Sequence, residues 1–297
     1  MRERFSDQEF NEAQTAVIDW ADQVCRDYMA QGYTISIRQL YYQGVSANRF
    51  PNTEAEYKKL VKLITDARTA GLIDWDAIVD RGRFMVKGRT WDKPADSLRA
   101  AADAFQIDRW EDQPIHLICM VEKQALEGIM IPVCSKWQVP FYANKGYSSA
   151  STMYEAGKRL QSKRVDGKKI VVIYSGDMDP SGLDMGEDVS RRLRMFSTGP
   201  VEVRRIALNM KQIAQYNPPE NPAKMSDSRA KAYVAQYGNS SWELDALRPD
   251  VLADLVDRNI QAVLDHSRWD RACEREEHAR AKMLDMIESF GKPTDLD

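Results

Sequence analysis

Histidine and cysteine are scarce: the chain of 297 residues carries three of the first and four of the second. His116, His266 and His278 form no H-E-x-x-H pattern, and no C-x-x-C pair occurs, so the sequence offers no zinc site. Cys25, Cys119, Cys134 and Cys273 are scattered and read as reduced, buried thiols rather than disulfides. No apolar run reaches the length of a membrane span, so no membrane partner is expected. The leading MRERFSDQEF lacks the apolar centre of a secretory signal, which makes the cytoplasm the expected address. A phosphate-cradling G-x-x-x-x-G-K-[ST] loop is also missing, because VKGRTW has no first glycine at the required spacing. Any ATP-driven step would therefore need a separate ATPase subunit. With a net charge of −3 the chain has no overall pull toward nucleic acid, so DNA contact would have to come from a local basic surface.

What is present is a globular composition, 43% apolar and 29% charged, in a chain long enough for two domains. The first half reads as helices. Ser6-Asp7-Gln8-Glu9 is a capping box, followed by Phe10, Ala13, Val17, Ala21 and Val24 at helical spacing to about Met29. Ser36-Ile37-Arg38-Gln39 and Thr53-Glu54-Ala55-Glu56 open two more helices, the latter ending at Gly71. LIDWDAIVDRGRFMVKGRTW then has the pattern of a short strand pair with basic residues on its tip. Three helices followed by a β-ribbon is the winged-helix plan, expected over residues 1–110. Arg81, Arg83, Lys87, Arg89 and Lys93 form the strongest basic patch, placed as a wing to touch DNA phosphates.

After a linker at Asp108–Pro114, the second half alternates strand and helix. Strands are expected at 115–121, Val139–Tyr142, 170–174 and Val201–Ile206, with helices at 124–130, Ser149–Leu160 and 183–195. This βαβαβαβ order requires a mostly parallel sheet, so the fold class is α/β, with a helical extension to residue 297. Ile170–Tyr174 is a strand buried on both faces that ends in Ser175-Gly176 and then Asp177 and Asp179. Pro180 stops it and Ser181 is placed to cap the next helix. Ligands bind outside the carboxyl ends of such strands, and two close carboxylates repel unless a cation, typically hard Mg²⁺, lies between them. A third acid, Glu122, ends the upstream strand Ile115–Val121 and is followed by Lys123.

A strand ending in Glu and a later one ending in D-x-D is how the Toprim fold builds its metal site. The strings MVEKQALEG, NKGYSS, YSGDMDPSGLDM and WELDAL resemble the Toprim half of the topoisomerase VI A subunit and its meiotic double-strand-break relatives. The chain is compact for that family and looks like a phage- or plasmid-borne version. In the first half Arg38-Gln39-Leu40-Tyr41-Tyr42 matches the family's R-x-x-[FY]-Y string, whose last residue cleaves DNA. The resemblance implies that Tyr42 is the nucleophile, with Arg38 one turn away to neutralise phosphate charge. It also implies Mg²⁺ held by Glu122, Asp177 and Asp179, Lys123 as added positive charge, and Lys145 of the N-K-G-Y turn on DNA. That turn lacks the P-D and T-R that usually follow. The implied reaction is transesterification of double-stranded DNA by a homodimer in which one subunit's tyrosine works with the other's metal site. Two alternatives come from different classes: a Toprim hydrolase using a metal-activated water, and a DNA-binding protein that no longer cuts. A primase-like Toprim is disfavoured by the missing zinc cysteines.

Overall fold

The computed structural model describes residues 1–79, 89–144 and 149–290, apart from the side chains of 164, 165, 289 and 290. The helical N-terminal half comprises α1 (Glu12–Ala30), α2 (Ile37–Ser46) and α3 (Glu54–Thr69), followed by α4 (Pro94–Ala104). The first three close around Ile18, Cys25, Leu40, Tyr41, Leu60, Ile64 and Ile73.

Two of the sequence's three helix starts hold. Ser36 caps α2 in a reciprocal box with Gln39, and the Thr53 side chain accepts the Glu56 N–H at the start of α3. The first does not: α1 begins at Glu12, capped by Asn11 and Gln14 rather than by Ser6 and Glu9. Tertiary contacts take the preceding residues away from the helix. Phe5 and Ser6 N–H donate to Thr69 O, and Arg2 pairs with Asp22. Beyond α3, residues up to Val79 form turns and a single parallel bridge, Ile35 to Ile78. The tip carrying Arg81, Arg83 and Lys87 lies outside the described residues, as does Lys145. Arg89 is described and exposed, and Lys93 precedes α4 as its cap residue.

The second half is an α/β unit: β1 (Ile115–Val121), α5 (Glu127–Lys136), β2 (Phe141–Ala143), α6 (Ala150–Val165), β3 (Lys169–Ser175), α7 (Pro180–Ser197) and β4 (Glu202–Ala207). The four strands are all parallel in the order β2-β1-β3-β4. Leu117, Cys119 and Val121 of β1 face one core layer, while Ile118 and Met120 face the other. Burial on both faces is why these strands read as continuous apolar runs. Several boundaries differ from the sequence reading, among them the end of α6, which runs to Val165 rather than Leu160. α5 is entered through a 3₁₀ turn, Gln124–Leu126, and runs past Pro132 to Lys136. β2 is only three residues long and is displaced toward Ala143. α7 starts at Pro180 with Asp179 as its cap, where Ser181 was expected. A proline at the first helical position loses no hydrogen bond, so the residue before it takes the cap.

The chain then continues through α8 (Met210–Tyr216), β5 (Asn221–Pro222), α9 (Ala230–Tyr237), β6 (Ser240–Ser241), a 3₁₀ turn at Leu244–Ala246, α10 (Pro249–Gln261) and α11 (His266–Phe290). α10 packs on α5, and α11 packs on α4. The 3₁₀ turn reaches back to α2, and Ala246 is buried in the N-terminal core, so the two halves share a packed seam. Among the described residues no helix is long and apolar enough to cross a membrane.

Candidate active site

The register of β1 against β3 pairs Val121 with Ser175. The next residues, Glu122-Lys123 and Gly176-Asp177, therefore emerge side by side at the carboxyl edge of the sheet. Glu122 Oε2 accepts the Asp177 N–H at 2.8 Å, and Glu122 N–H donates to Ser175 O at 2.9 Å. This approach needs two glycines. A Cβ on Gly176 would stand 2.7 Å from Glu122 Oε2, and one on Gly182 would overlap the Asp177 carbonyl.

A second segment meets the same edge. Met178 and Trp242 exchange backbone hydrogen bonds of 2.8 and 3.0 Å, and this bridge carries in the turn that bears Glu243 and Asp245. Leu244 N–H donates to Asp177 Oδ1 at 2.8 Å. Asp177, Glu243 and Asp245 consequently offer carboxylate oxygens that all lie within 4.8 Å of one another, a group able to hold a metal ion. Lys123 lies against all three. Its Nζ is 2.9 Å from both Asp177 Oδ2 and Asp245 Oδ1, and it also pairs with Glu243.

Two of the expected ligands have other local partners. Asp179 Oδ1 accepts the Gly182 N–H at 2.6 Å and the Ser181 hydroxyl at 3.0 Å, the bonds of a helix cap. Glu122 is buried beside Asp177 but outside the close trio. Of the acids expected from the sequence, Asp177 belongs to this close trio, while Glu243 and Asp245 were not singled out as ligands. The signal was the second acid-x-acid string, W-E-L-D-A-L, read only as a marker of resemblance.

The loop from β3 to α7 is fixed from below by Arg205 on β4. Its guanidinium donates to the carbonyls of Gly176 (2.9 Å), Gly182 (3.2 Å), Leu208 (3.2 Å) and Asp177.

Arg38 links this edge to the helical half. One nitrogen, Nη2, lies 3.2 Å from Glu243 Oε2 and 3.5 Å from the Tyr42 hydroxyl, while Nε lies 3.2 Å from Asp245 Oδ2. Tyr42 is 4% exposed, and Tyr41 packs against Phe50 and Tyr57 with its hydroxyl on the 51–53 turn. Between the halves is a cleft of about 330 Å³ whose lining includes Arg38, Tyr42, Asn52, Asp179, Lys224 and Glu243. Lys224 is exposed; its backbone carbonyl accepts the Asp227 N–H, and among the described residues its ammonium makes no hydrogen bond or ion pair.

The electrostatics follow from burial and crowding. Burial, reinforced by Glu122, Glu243 and Asp245 and only partly offset by Lys123, pushes the Asp177 carboxyl up to about 8. Burial also raises Glu122, against the Asp177 N–H that favours its charged form. Glu243 is lowered: burial opposes this, but Lys123 and Arg38 outweigh it. Lys123 and Arg38 are raised for the complementary reason, since their acidic neighbours overcome burial. Burial, with Asp245 and Glu243 adding to it and Arg38 opposing, pushes the Tyr42 phenol up to about 12.

No protein-family model matches the chain, and no curated protein matches it significantly.

Proposed function

We propose that the chain is a Mg²⁺-dependent DNA-cleaving enzyme, built as a winged helix followed by a Toprim domain, that works by tyrosine transesterification. The observation that carries this reading is Arg38, a single guanidinium in contact with both the Tyr42 hydroxyl and the acids Glu243 and Asp245. A tyrosine and an arginine lining one cleft, beside a carboxylate cluster that reaches the cleft through Glu243, are the parts that a phosphodiester exchange needs. Double-stranded DNA is the substrate that the winged-helix assignment favours.

The donor set suits a hard divalent ion. Asp177, Glu243 and Asp245 present only carboxylate oxygens, with no imidazole or thiolate among them. These three would hold the ion in place of the Lys123 ammonium that now pairs with them, with Glu122 behind them. When bound, Mg²⁺ supplies positive charge to the scissile phosphate and the leaving oxygen. The remaining work falls to the protein. Arg38 donates to Tyr42 Oη, which leaves the phenol's own proton without an acceptor among the described residues. Because Tyr42 is held protonated at neutral pH, its proton must depart as the oxygen attacks. Arg38 and Lys224 are the cations lining the cleft and would meet the non-bridging phosphate oxygens.

The test is transfer of label. DNA incubated with Mg²⁺ and protein, then denatured, should leave radiolabelled nucleotide bound at Tyr42, located by peptide mass spectrometry. One observation favours a second reading, hydrolysis by a metal-activated water: the phenol is buried and raised to about 12. In that case DNA would be cut with no label on protein.

A further inference from the structure

We infer that Lys123 is a place-holder that sets the divalent-ion concentration at which the acidic site fills. Its ammonium holds the acids together when no ion is bound and must swing out before one binds. This rests on the metal-holding part of the proposed function and not on the tyrosine. It gives Lys123 a role different from the added positive charge expected of it.

Burial creates the need for such a group. Asp177 and Asp245 are 6% and 1% exposed, and buried carboxylates left without a cation are strongly destabilising. Lys123 supplies the cation from within the chain. An ammonium has three N–H donors, and here three acids surround it. Its Nζ lies 2.9 Å from Asp177 Oδ2 and from Asp245 Oδ1, and it also pairs with Glu243.

The oxygens it takes are those the rest of the chain leaves over. Asp177 Oδ1 already accepts the Leu244 N–H, and Asp245 Oδ2 faces Arg38 Nε at 3.2 Å. Each of these two acids is thus held through one oxygen by the fold and through the other by the lysine. Taking the ammonium away leaves Asp177 Oδ2 and Asp245 Oδ1 converging on one point, with Glu243 beside them. A divalent ion needs the same oxygens, at about 2–2.6 Å, and two cations on one pair of carboxylate oxygens repel each other. Lysine and ion therefore exclude one another.

The way out needs no movement of the backbone. Lys123 directly follows β1 with extended backbone angles, φ −114° and ψ 121°, ahead of the 3₁₀ turn. Its side chain is 20% exposed where that of Asp245 is 1%, so rotation about the flexible four-carbon stem carries the ammonium into water. Arg38 remains on Glu243 Oε2 and Asp245 Oδ2 and keeps both acids oriented while the lysine is out. An ion that binds only lysine-out molecules has its affinity reduced by their share, so a lysine out in about one molecule in ten weakens binding about ten-fold.

Two measurements test this. In the first, wild-type protein is pulsed with an amine-acetylating reagent, with and without Mg²⁺ at equal ionic strength, and each lysine is quantified by peptide mass spectrometry. Lys123 should be labelled several-fold faster with Mg²⁺, while Lys136, an exposed lysine on Asp257 outside the site, keeps its rate. The second is Mn²⁺ affinity by calorimetry. Lys123→Met should bind Mn²⁺ about ten-fold or more tightly than wild type, and Lys123→Met/Asp177→Asn should lose that gain. Wild type that binds Mn²⁺ with Lys123 labelling unchanged by Mg²⁺ overturns the inference, as does equal or weaker binding by a folded Lys123→Met. If that variant does not fold, the wild-type labelling decides alone. Absence of Mn²⁺ binding by both proteins would remove the metal reading, and the inference with it. The predicted labelling and affinities in a protein that cuts no DNA would leave the place-holder standing and remove only the proposed cleavage.

Discussion

Replacing Arg205 by Met should loosen the loop that carries Asp177 and cost a large part of the stability of the α/β unit. Arg205 donates to four carbonyls, those of Gly176, Asp177, Gly182 and Leu208, and all four residues are buried. Hydrogen bonds to a charged donor contribute about 1.5–3 kcal/mol each, and a buried acceptor left unmet costs a further penalty. The four are not additive, because they share one guanidinium and Gly176 O also accepts the Leu208 N–H at 2.8 Å. A loss of about 3–5 kcal/mol follows, a large part of a typical domain's 5–15 kcal/mol. Arg205→Lys keeps the charge but reaches fewer carbonyls at once, so about half of the loss should return. Urea unfolding followed by circular dichroism measures both variants. The same samples titrated with Mn²⁺ should show weaker metal binding in the Met variant, because Asp177 is held through this loop. Arg205→Met unfolding within about 1 kcal/mol of wild type would refute the account of how the loop is positioned.

Three further outcomes are expected. Burial, aided by Lys163 and Lys168, lowers the His116 imidazole from its ordinary 6.5 to about 4. Its neutral form therefore supports the fold above pH 6.5, and that support fades as pH falls toward 4. Unfolding free energies at pH 7 and pH 5 should differ by about 2 kcal/mol more in wild type than in His116→Gln, and equal differences would contradict the shift. Glu276 is 1% exposed and joins Arg109 (2.7 Å), Arg280 (2.9 Å) and the Ile107 N–H (3.1 Å), tying the segment after α4 to α11. Glu276→Ala strands two cations and should lower stability by about 3–5 kcal/mol in thermal melts, whereas a loss under 1 kcal/mol would count against the clamp. Lys224→Ala should weaken DNA binding and reduce the slope of log affinity against log salt by about one phosphate contact, measured by fluorescence anisotropy without metal. An unchanged slope would place Lys224 off the DNA path.

The fold was legible in sequence where burial imposes a pattern. The runs Ile115–Val121 and Lys169–Ser175 are apolar at successive positions because both faces of the sheet are covered, and the strand–helix alternation made the parallel arrangement legible, though not the order of the strands. Ser36 and Thr53 were legible as caps because each accepts the N–H three residues on, although Glu56 pairs with Lys59 rather than closing the second box. Ser6 fits the same pattern, yet α1 starts five residues later than that box implies, since residues 1–6 are drawn onto α3 and α1 by long-range contacts that no local window contains. The site was half legible for a similar reason. Glu122 and Asp177 sit at strand ends, where chemistry is expected. Glu243 and Asp245 lie at a short 3₁₀ turn more than sixty residues further on, brought in by long-range contacts such as the Met178–Trp242 bridge and the Leu244 N–H on Asp177. Asp179 followed by Pro180 is as much a helix-start signal as a ligand signal, and its carboxylate makes the bonds of a cap. That Arg38 touches the acids as well as Tyr42 has no local signature, because it depends on packing between the two halves.

The most direct test of the central claim is cleavage of supercoiled plasmid with Mg²⁺ by wild type, Tyr42→Phe and Asp177→Ala, run on denaturing gels with and without protease. The account predicts wild-type breaks whose ends enter the gel only after proteolysis. It also predicts that each variant is reduced by about 10³-fold or more. Normal cutting by Tyr42→Phe, with free ends and a dead Asp177→Ala, would contradict the tyrosine mechanism and leave a metal-dependent hydrolase.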